Sequence, residues 1–256
     1  MLKSKILFLI IAMITALFPG FSVSAGDNAV HWYVKNNKEH KRPDLDGVLS
    51  VINDHKASYI GNDEKVIYLT FDAGYENGNV AKILDVLEKH NVKAAFFVLE
   101  NLISRNTELV NRMAESGHLV CNHTASHKNM SLVYDKETFE RELKALEDVY
   151  REKTGRELDK YYRPPEGSFN QANLAFADEM GYHTVFWSFA YADWDNAKQP
   201  DTARATDKIM AHIHNGEIML LHPTSATNAA ILDTVITRLK SDGYRFGTLD
   251  ELKCKE

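Results

Sequence analysis

Cysteine is scarce. Two residues, Cys121 and Cys254, among 256 are too few for a disulfide framework or a cysteine-only metal site, and they leave room for one bridge at most. Six prolines and 13 glycines exclude collagen-like and proline-rich low-complexity chains. Basic charge is not in excess either: 30 Lys and Arg stand against 36 Asp and Glu, a formal charge of -6. A chain that grips polyanions by releasing counterions needs the opposite balance, so nucleic acid is not an expected partner.

What is present begins with an address. Lys3 and Lys5 precede the apolar run Ile6 to Phe18, broken only by Thr15, and Val23-Ser24-Ala25 offers small residues for cleavage. Residues 1–25 are expected to be a removable export signal, with a retained membrane anchor as the alternative; cleavage leaves a more acidic mature protein outside the cytoplasm with no stable membrane insertion. Residues 26–64 are polar and without sustained period. They are expected to form an arm that packs on the domain through Trp32, Tyr33 and the set Val48, Leu49, Val51 and Ile52.

Residues 65–253 alternate regularly between apolar β-forming runs and helical spacing. Val66 to Phe71 suits a strand buried on both faces, and Val80, Ile83, Leu84 and Leu87 then recur as on a helix. Ala94 to Leu99 and His118 to Cys121 read as further strands. Lys136 to Lys153 carries Phe139, Leu143, Leu146 and Val149 on one stripe. Thr184 to Ser188, Ile218 to Leu221 and Arg245 to Gly247 are strands between helices at Asn170 to Met180, Ala203 to His214 and Ala229 to Leu239. About six or seven such units imply a parallel sheet rolled into a closed or nearly closed α/β barrel.

In such barrels chemistry gathers where the strands end. The first strand ends in Thr70-Phe71-Asp72 and runs on through Tyr75, Glu76 and Asn77; Asp72 suits a general base, a metal ligand or a helix cap. His123 and His127 stand four apart, which on a helical turn presents two imidazoles to one cation; otherwise they bond backbone groups. Asn122 and Thr124 are placed to support them. Arg163, stiffened by Pro164 and Pro165, can pair with a catalytic carboxylate or read a substrate's, or bridge a surface acid. Asp193 can raise the pKa of His222, a candidate proton donor, and Trp194 is a sugar platform or core.

Thr70-Phe71-Asp72, His123-x-x-x-His127, Arg163-Pro164-Pro165, Asp193-Trp194 and Leu220-Leu221-His222 resemble the five motifs of the polysaccharide deacetylases, carbohydrate esterase family 4, over about Lys65 to Leu252. Thr70 to Gly78 and His123 to Met130 more closely resemble the peptidoglycan N-acetylmuramic acid deacetylases of spore-forming bacteria. The resemblance implies a distorted (β/α) barrel of the NodB-homology type, with about seven βα units, and a metal-dependent amide hydrolase acting on peptidoglycan glycan strands. In that subfamily the product feeds muramic δ-lactam formation in the spore cortex.

The resemblance further implies a divalent cation, zinc with manganese or cobalt as alternatives, on His123 and His127; Asp72 as base; His222 as acid; and Arg163 and Asp193 orienting them. Trp194 and Leu220 would shape the acetyl pocket, a backbone N–H near Glu166 would hold the oxyanion, and Tyr75 and Asn77 would meet substrate. A monomer at the cell wall or spore cortex is expected.

Two positions depart from the family pattern. Ala73 stands where most members carry a second aspartate that completes an Asp-His-His metal triad, which makes Asn77 and Glu76 candidates for a replacement ligand. Glu166 stands where many have an aromatic, and Arg163 is the nearest candidate to read a lactyl carboxylate. Cys121 is expected to be a buried thiol, with Cys254 reaching it only if the end of the chain folds back. The rival readings are a glycoside hydrolase using Asp193 with Asp195 or Asp72, which leaves the histidines idle, and an inactive wall-binding module.

Overall fold

A computed structural model describes residues 29–35, 39–45 and 47–252. The export-signal expectation, and Cys254 with any pairing it makes, lie outside the described residues. The elements in order are β1 (Val30–His31), β2 (Ala57–Ser58), β3 (Val66–Ala73), α1 (Val80–Lys89), β4 (Ala95–Val98), α2 (Glu100–Arg105), α3 (Thr107–Glu115), β5 (Leu119–Asn122), α4 (Lys136–Thr154) and β6 (Asp159–Tyr162). There follow β7 (Ser168–Phe169), α5 (Gln171–Glu179), β8 (His183–Val185), α6 (Thr202–His212), β9 (Glu217–Leu221), α7 (Ala226–Ser241) and β10 (Arg245–Gly247).

One sheet holds eight strands in the order β10-β3-β4-β5-β6-β8-β2, with β9 also on β3, and its ladders are parallel. Ile67 and Tyr68 pair with both β9 and β10, so those two strands lie on opposite edges of β3. The seam between β8 and β9 is drawn shut by a bridge from Phe189 to Met219, with the Leu220 N–H donating to the Phe189 carbonyl at 2.9 Å. β2 fills the wider end of this seam, pairing with β8 while Ile60 bridges Glu217. The result is the distorted barrel expected from the alternation of elements. β8 is shorter than the apolar run suggested: the chain leaves the ladder after Val185 to make the closure. α6 likewise ends at His212, two residues early.

The period of two along each strand sorts its side chains. Ile67, Leu69, Phe71 and Ala73 pack outward against Ile83, Leu84, Leu232 and Val235 of the helices. Val66 and Tyr68 point inward, where they meet Ala95, Phe97, Cys121, Val185 and Ile218. Continuing the inward set up β3 gives Thr70 and then Asp72 at the barrel mouth. The sequence of one strand therefore both fills the core and delivers a carboxylate.

The helices follow their stripes. α4 starts at Asp135, whose side chain accepts the Thr138 N–H at 2.8 Å, and stops at left-handed Gly155. It buries Phe139, Leu143, Leu146 and Tyr150, whereas Val149 is only partly covered. The arm packs through Trp32, Leu49 and Ile52, all buried. Val51 is partly buried against the same cluster, whereas Tyr33 and Val48 are more exposed than expected, at 48% and 63%. β1 pairs antiparallel with β7, and the Trp32 indole donates to the Trp187 carbonyl at 2.9 Å. The arm thus braces the segment after Arg163. No helix of the described residues is long and apolar enough to cross a membrane.

Candidate active site

Asp72 reaches the mouth from β3 with two different oxygens. Its Oδ1 accepts from Arg163 Nη1 at 2.8 Å, while Oδ2 lies 3.6 Å from His123 Nε2. Burial alone would push its carboxyl up; the Arg163 guanidinium, then His123 and His222, outweigh that and hold it below its ordinary value of 3.8. Asp72 is therefore ionised, and Oδ2 is its available oxygen.

Arg163 is fully enclosed. Its Nε donates to the Val185 carbonyl at 2.9 Å, and Nη2 donates to Thr70 Oγ1 at 3.0 Å and the Phe186 carbonyl at 3.1 Å. The guanidinium lies 4.2 Å from the Phe97 ring centre. These partners correct two of the sequence-based alternatives: Arg163 bridges no surface acid, and it has no access to a substrate carboxylate. Its work is to fix Asp72.

His123 and His127 come together, but not on a helical turn. β5 ends at a register shift between Cys121 and Asn122, and the chain then turns through left-handed Thr124 (φ 69°) and His127 (φ 55°). Such backbone costs about 1–3 kcal/mol per residue, and the site's hydrogen bonds oppose that cost. Asn122 Oδ1 accepts the Thr124 N–H at 2.9 Å, and Thr124 Oγ1 accepts the His127 N–H at 3.1 Å. Asn122 and Thr124 therefore shape the loop instead of bonding the imidazoles. The two rings meet edge to face with centroids 5.2 Å apart.

The His123 ring is oriented by the Arg163 carbonyl, 2.8 Å from Nδ1. A carbonyl only accepts, so Nδ1 carries the hydrogen and Nε2 keeps its lone pair toward Asp72. Burial pushes the pKa of His123 down to about 4, although Asp72 opposes this, and the ring is neutral near pH 7. A neutral imidazole with one nitrogen on a backbone carbonyl and the other free suits a divalent cation. The donor set fits such an ion as a two-histidine site. Asn77 does not complete it: its amide donates to the Thr224 carbonyl at 2.8 Å and its oxygen accepts from Asn79 at 3.3 Å. Glu76 accepts the Gly78 N–H. No group of three or more His, Cys, Asp or Glu is arranged to hold a metal among the described residues. Cys121, a buried free thiol pushed far up by burial, faces the barrel core.

Across the mouth, His222 follows β9. Asp193 Oδ1 lies 2.7 Å from its Nδ1, and Oδ2 accepts its backbone N–H at 2.8 Å. Asp193 is buried. Burial would lower the His222 pKa, yet the Asp193 hydrogen bond and charge, with help from Asp72, raise it above 6.5. Nε2 is left to face the site. Trp194 meets the His222 ring edge-on at 6.2 Å and is 60% exposed, so it is not core. Leu220 is buried at the barrel wall, and Tyr75, 42% exposed, takes a hydrogen bond from Asn196. Glu166 is exposed on a left-handed turn (φ 58°) between buried Pro165 and Gly167.

Sequence reasoning missed Asn228 and Gln199. Asn228 donates to Asp193 Oδ2 at 2.5 Å, and Gln199 donates to the Asp193 carbonyl at 2.9 Å. An asparagine in the first turn of a helix carries no spacing signal that would single it out. A cavity of about 410 Å³ lined by Arg42, His55, Ser58, His183 and Leu252 lies beside the start of β8, at the other end of the barrel from these groups.

A parallel barrel bearing Asp72, the histidine pair, buried Arg163 and the Asp193–His222 pair at the strand ends has the arrangement of a carbohydrate deacetylase. The chain belongs to the polysaccharide deacetylase family, whose model matches residues 60–185. It is 39% identical to the peptidoglycan-N-acetylmuramic acid deacetylase PdaA of Bacillus subtilis over 87% of this chain and 85% of that protein. The solved structure of PdaA, a family 4 carbohydrate esterase, superposes with a TM-score of 0.83 over 88% of this chain and 96% of that one, at 39% identity. Wild-type BA3943 of Bacillus anthracis, described as a pseudoenzyme of the same family, is 29% identical with a TM-score of 0.70 over 77% of this chain and 68% of that one. Activity in this fold accordingly rests on the site residues.

Proposed function

We propose that this protein hydrolyses N-acetyl groups from peptidoglycan glycan strands, with N-acetylmuramic acid as the preferred sugar, by metal-assisted attack of water. The observation that carries the reading is the pairing of an ionised carboxylate on Arg163 with a protonatable imidazole on Asp193 at one barrel mouth. A base and an acid held apart are what amide hydrolysis requires.

His123 and His127 are the residues that would hold the cation. The chemistry it supplies when bound is Lewis-acid polarisation of the acetamide carbonyl and a lowered water pKa. Asp72 accepts the water's proton at Oδ2, because Oδ1 is engaged by Arg163. His222 delivers a proton from Nε2 to the leaving amine, because Nδ1 is engaged by Asp193. On the turn at Glu166 the Gly167 N–H donates to the Pro164 carbonyl at 3.0 Å and the Ser168 N–H to the Pro165 carbonyl, which leaves the Glu166 N–H as the candidate oxyanion donor. Trp194 and Tyr75 offer flat faces to sugar rings, and Leu220 offers a wall to the acetyl methyl.

The muramic acid preference is supported by the likeness to PdaA, and with it a step toward the muramic δ-lactam of the spore cortex. Export to the cell wall or cortex is supported by Lys3, Lys5 and the apolar run of residues 1–25. Mass spectrometry of defined glycan strands after incubation tests the reaction class. Loss of acetyl groups from intact strands is expected; shortened strands would overturn the reading in favour of a glycoside hydrolase.

A further inference from the structure

We infer that Asn228 is a positioning residue for this reaction: its buried amide locks the Asp193 carboxylate in the orientation that lets His222 act through Nε2. The inference rests on the acid role proposed for His222.

Asn228 is fully buried in the first turn of α7, where its N–H donates to the Ser225 hydroxyl at 3.1 Å. Its side chain has two hydrogens and one carbonyl oxygen, and all are used. Nδ2 donates to Asp193 Oδ2 at 2.5 Å and to the His222 carbonyl at 3.0 Å, while Oδ1 accepts from the Tyr191 hydroxyl. Both Nδ2 partners are acceptors and the Oδ1 partner is a donor. Turning the amide over would set its oxygen against a carboxylate and a carbonyl at once, so the orientation is unique.

The consequence falls on Asp193. Its Oδ1 faces the imidazole, and its Oδ2 is held by the His222 N–H and by Asn228. Without Asn228, Oδ2 keeps one donor, and that donor belongs to the residue being positioned. Asn228 is the external reference that stops the carboxylate and imidazole from turning together. Gln199 supports the same frame by donating to the Asp193 carbonyl at 2.9 Å and accepting from the Ser225 hydroxyl at 2.6 Å.

The charged and titratable groups acting on His222 are Asp193, Asp72 and Arg163, with the Trp194 ring at its edge. Asn228 carries no charge. It acts on the His222 imidazole through Asp193, and its second hydrogen bond pins the His222 carbonyl, so its effect is one of placement and is separate from that of the charged groups.

The test uses the full chain with two variants, Asn228→Leu and Tyr191→Phe, and three readouts. These are steady-state kinetics on glycan strands, the His222 pKa by histidine-selective NMR without substrate, and the melting temperature. In Asn228→Leu, kcat is expected to fall by about 10- to 100-fold with KM changed by less than about twofold. The His222 pKa is expected to drop toward that of free imidazole. Tyr191→Phe removes only the hydroxyl and is expected to move both quantities the same way by less; it carries the test if Asn228→Leu does not fold.

A lower melting temperature with an unmoved His222 pKa and an unchanged kcat per folded molecule would overturn the inference, since that is the signature of a merely structural residue. The acid role fails separately, if the parent rate shows no pH limb at the His222 pKa. A pKa that still moves in the variants would then uphold the positioning alone.

Discussion

Nδ1 of His222 stands 2.7 Å from Oδ1 of Asp193, and the His222 backbone N–H grips the other oxygen of the same carboxylate at 2.8 Å. This two-point contact raises the imidazole pKa against the opposing effect of burial. A general acid works while protonated, so kcat/KM is expected to hold past pH 6.5 and to fall as pH rises through the raised value. Asp193→Asn should move that alkaline limb downward and cut kcat by about 10²- to 10⁴-fold. The same linkage gives a sign for stability: the contribution of this pair is full below about pH 6.5, the unfolded value, and is lost as pH rises through the folded one. Rate profiles and denaturant midpoints across pH check both statements.

Arg163 and Asp72 form a buried pair whose members are not interchangeable with near relatives. Arg163→Lys loses the fork that reaches Val185, Phe186, Thr70 and Asp72 together. Breaking such a pair costs about 3–5 kcal/mol, so Arg163→Lys should lower the urea midpoint as well as activity. Retention of both in Arg163→Lys would show that the guanidinium geometry is unimportant.

Gly167 and Gly155 provide a matched test of the arm's role. Both are left-handed, at φ 64° and 68°. A Cβ on Gly167 would meet Trp187 and Trp32 at 2.7 Å, while one on Gly155 meets nothing within 4 Å. Gly155→Ala is expected to cost about 1 kcal/mol from backbone strain alone. Gly167→Ala adds a clash that pushes Trp32 off the turn carrying Glu166, so it should cost about 1–3 kcal/mol more and reduce kcat. Thermal melts beside acetate-release rates separate the two effects.

Much of this site was legible because strand periodicity does two jobs. The alternation that makes Val66 to Phe71 a doubly buried strand also fixes which face Asp72 shares with Thr70. Chain order likewise placed His123, Arg163, Asp193 and His222 at strand ends. Three things were not legible. The spacing of His123 and His127 suits a helical turn, and only the Asn122 and Thr124 hydrogen bonds, invisible as a pattern, stabilise the left-handed loop found instead. Arg163 looked free to meet substrate because the sequence does not reveal how many backbone carbonyls will converge on it. Asn228 was silent because the side chains its amide bonds, Asp193 and Tyr191, lie 35 and 37 residues away in the chain.

Metal binding can be tested without turnover. Calorimetric titration of the parent with zinc should show a site that is lost on His123→Ala, with affinity falling by more than about 100-fold. Because burial pushes the His123 pKa down to about 4, this ligand keeps its lone pair for zinc well below pH 6.5 and is lost to protonation only in stronger acid. Equal affinity in His123→Ala would place the cation elsewhere.

The central claim is that Asp72 is the base of a deacetylase. Acetate release from peptide-free glycan strands, measured at saturating zinc for the parent and for Asp72→Asn with matched folded fractions, tests it most directly. A loss of about 10²- to 10⁴-fold in Asp72→Asn is predicted. Acetate release at the parent rate in that variant would contradict the account.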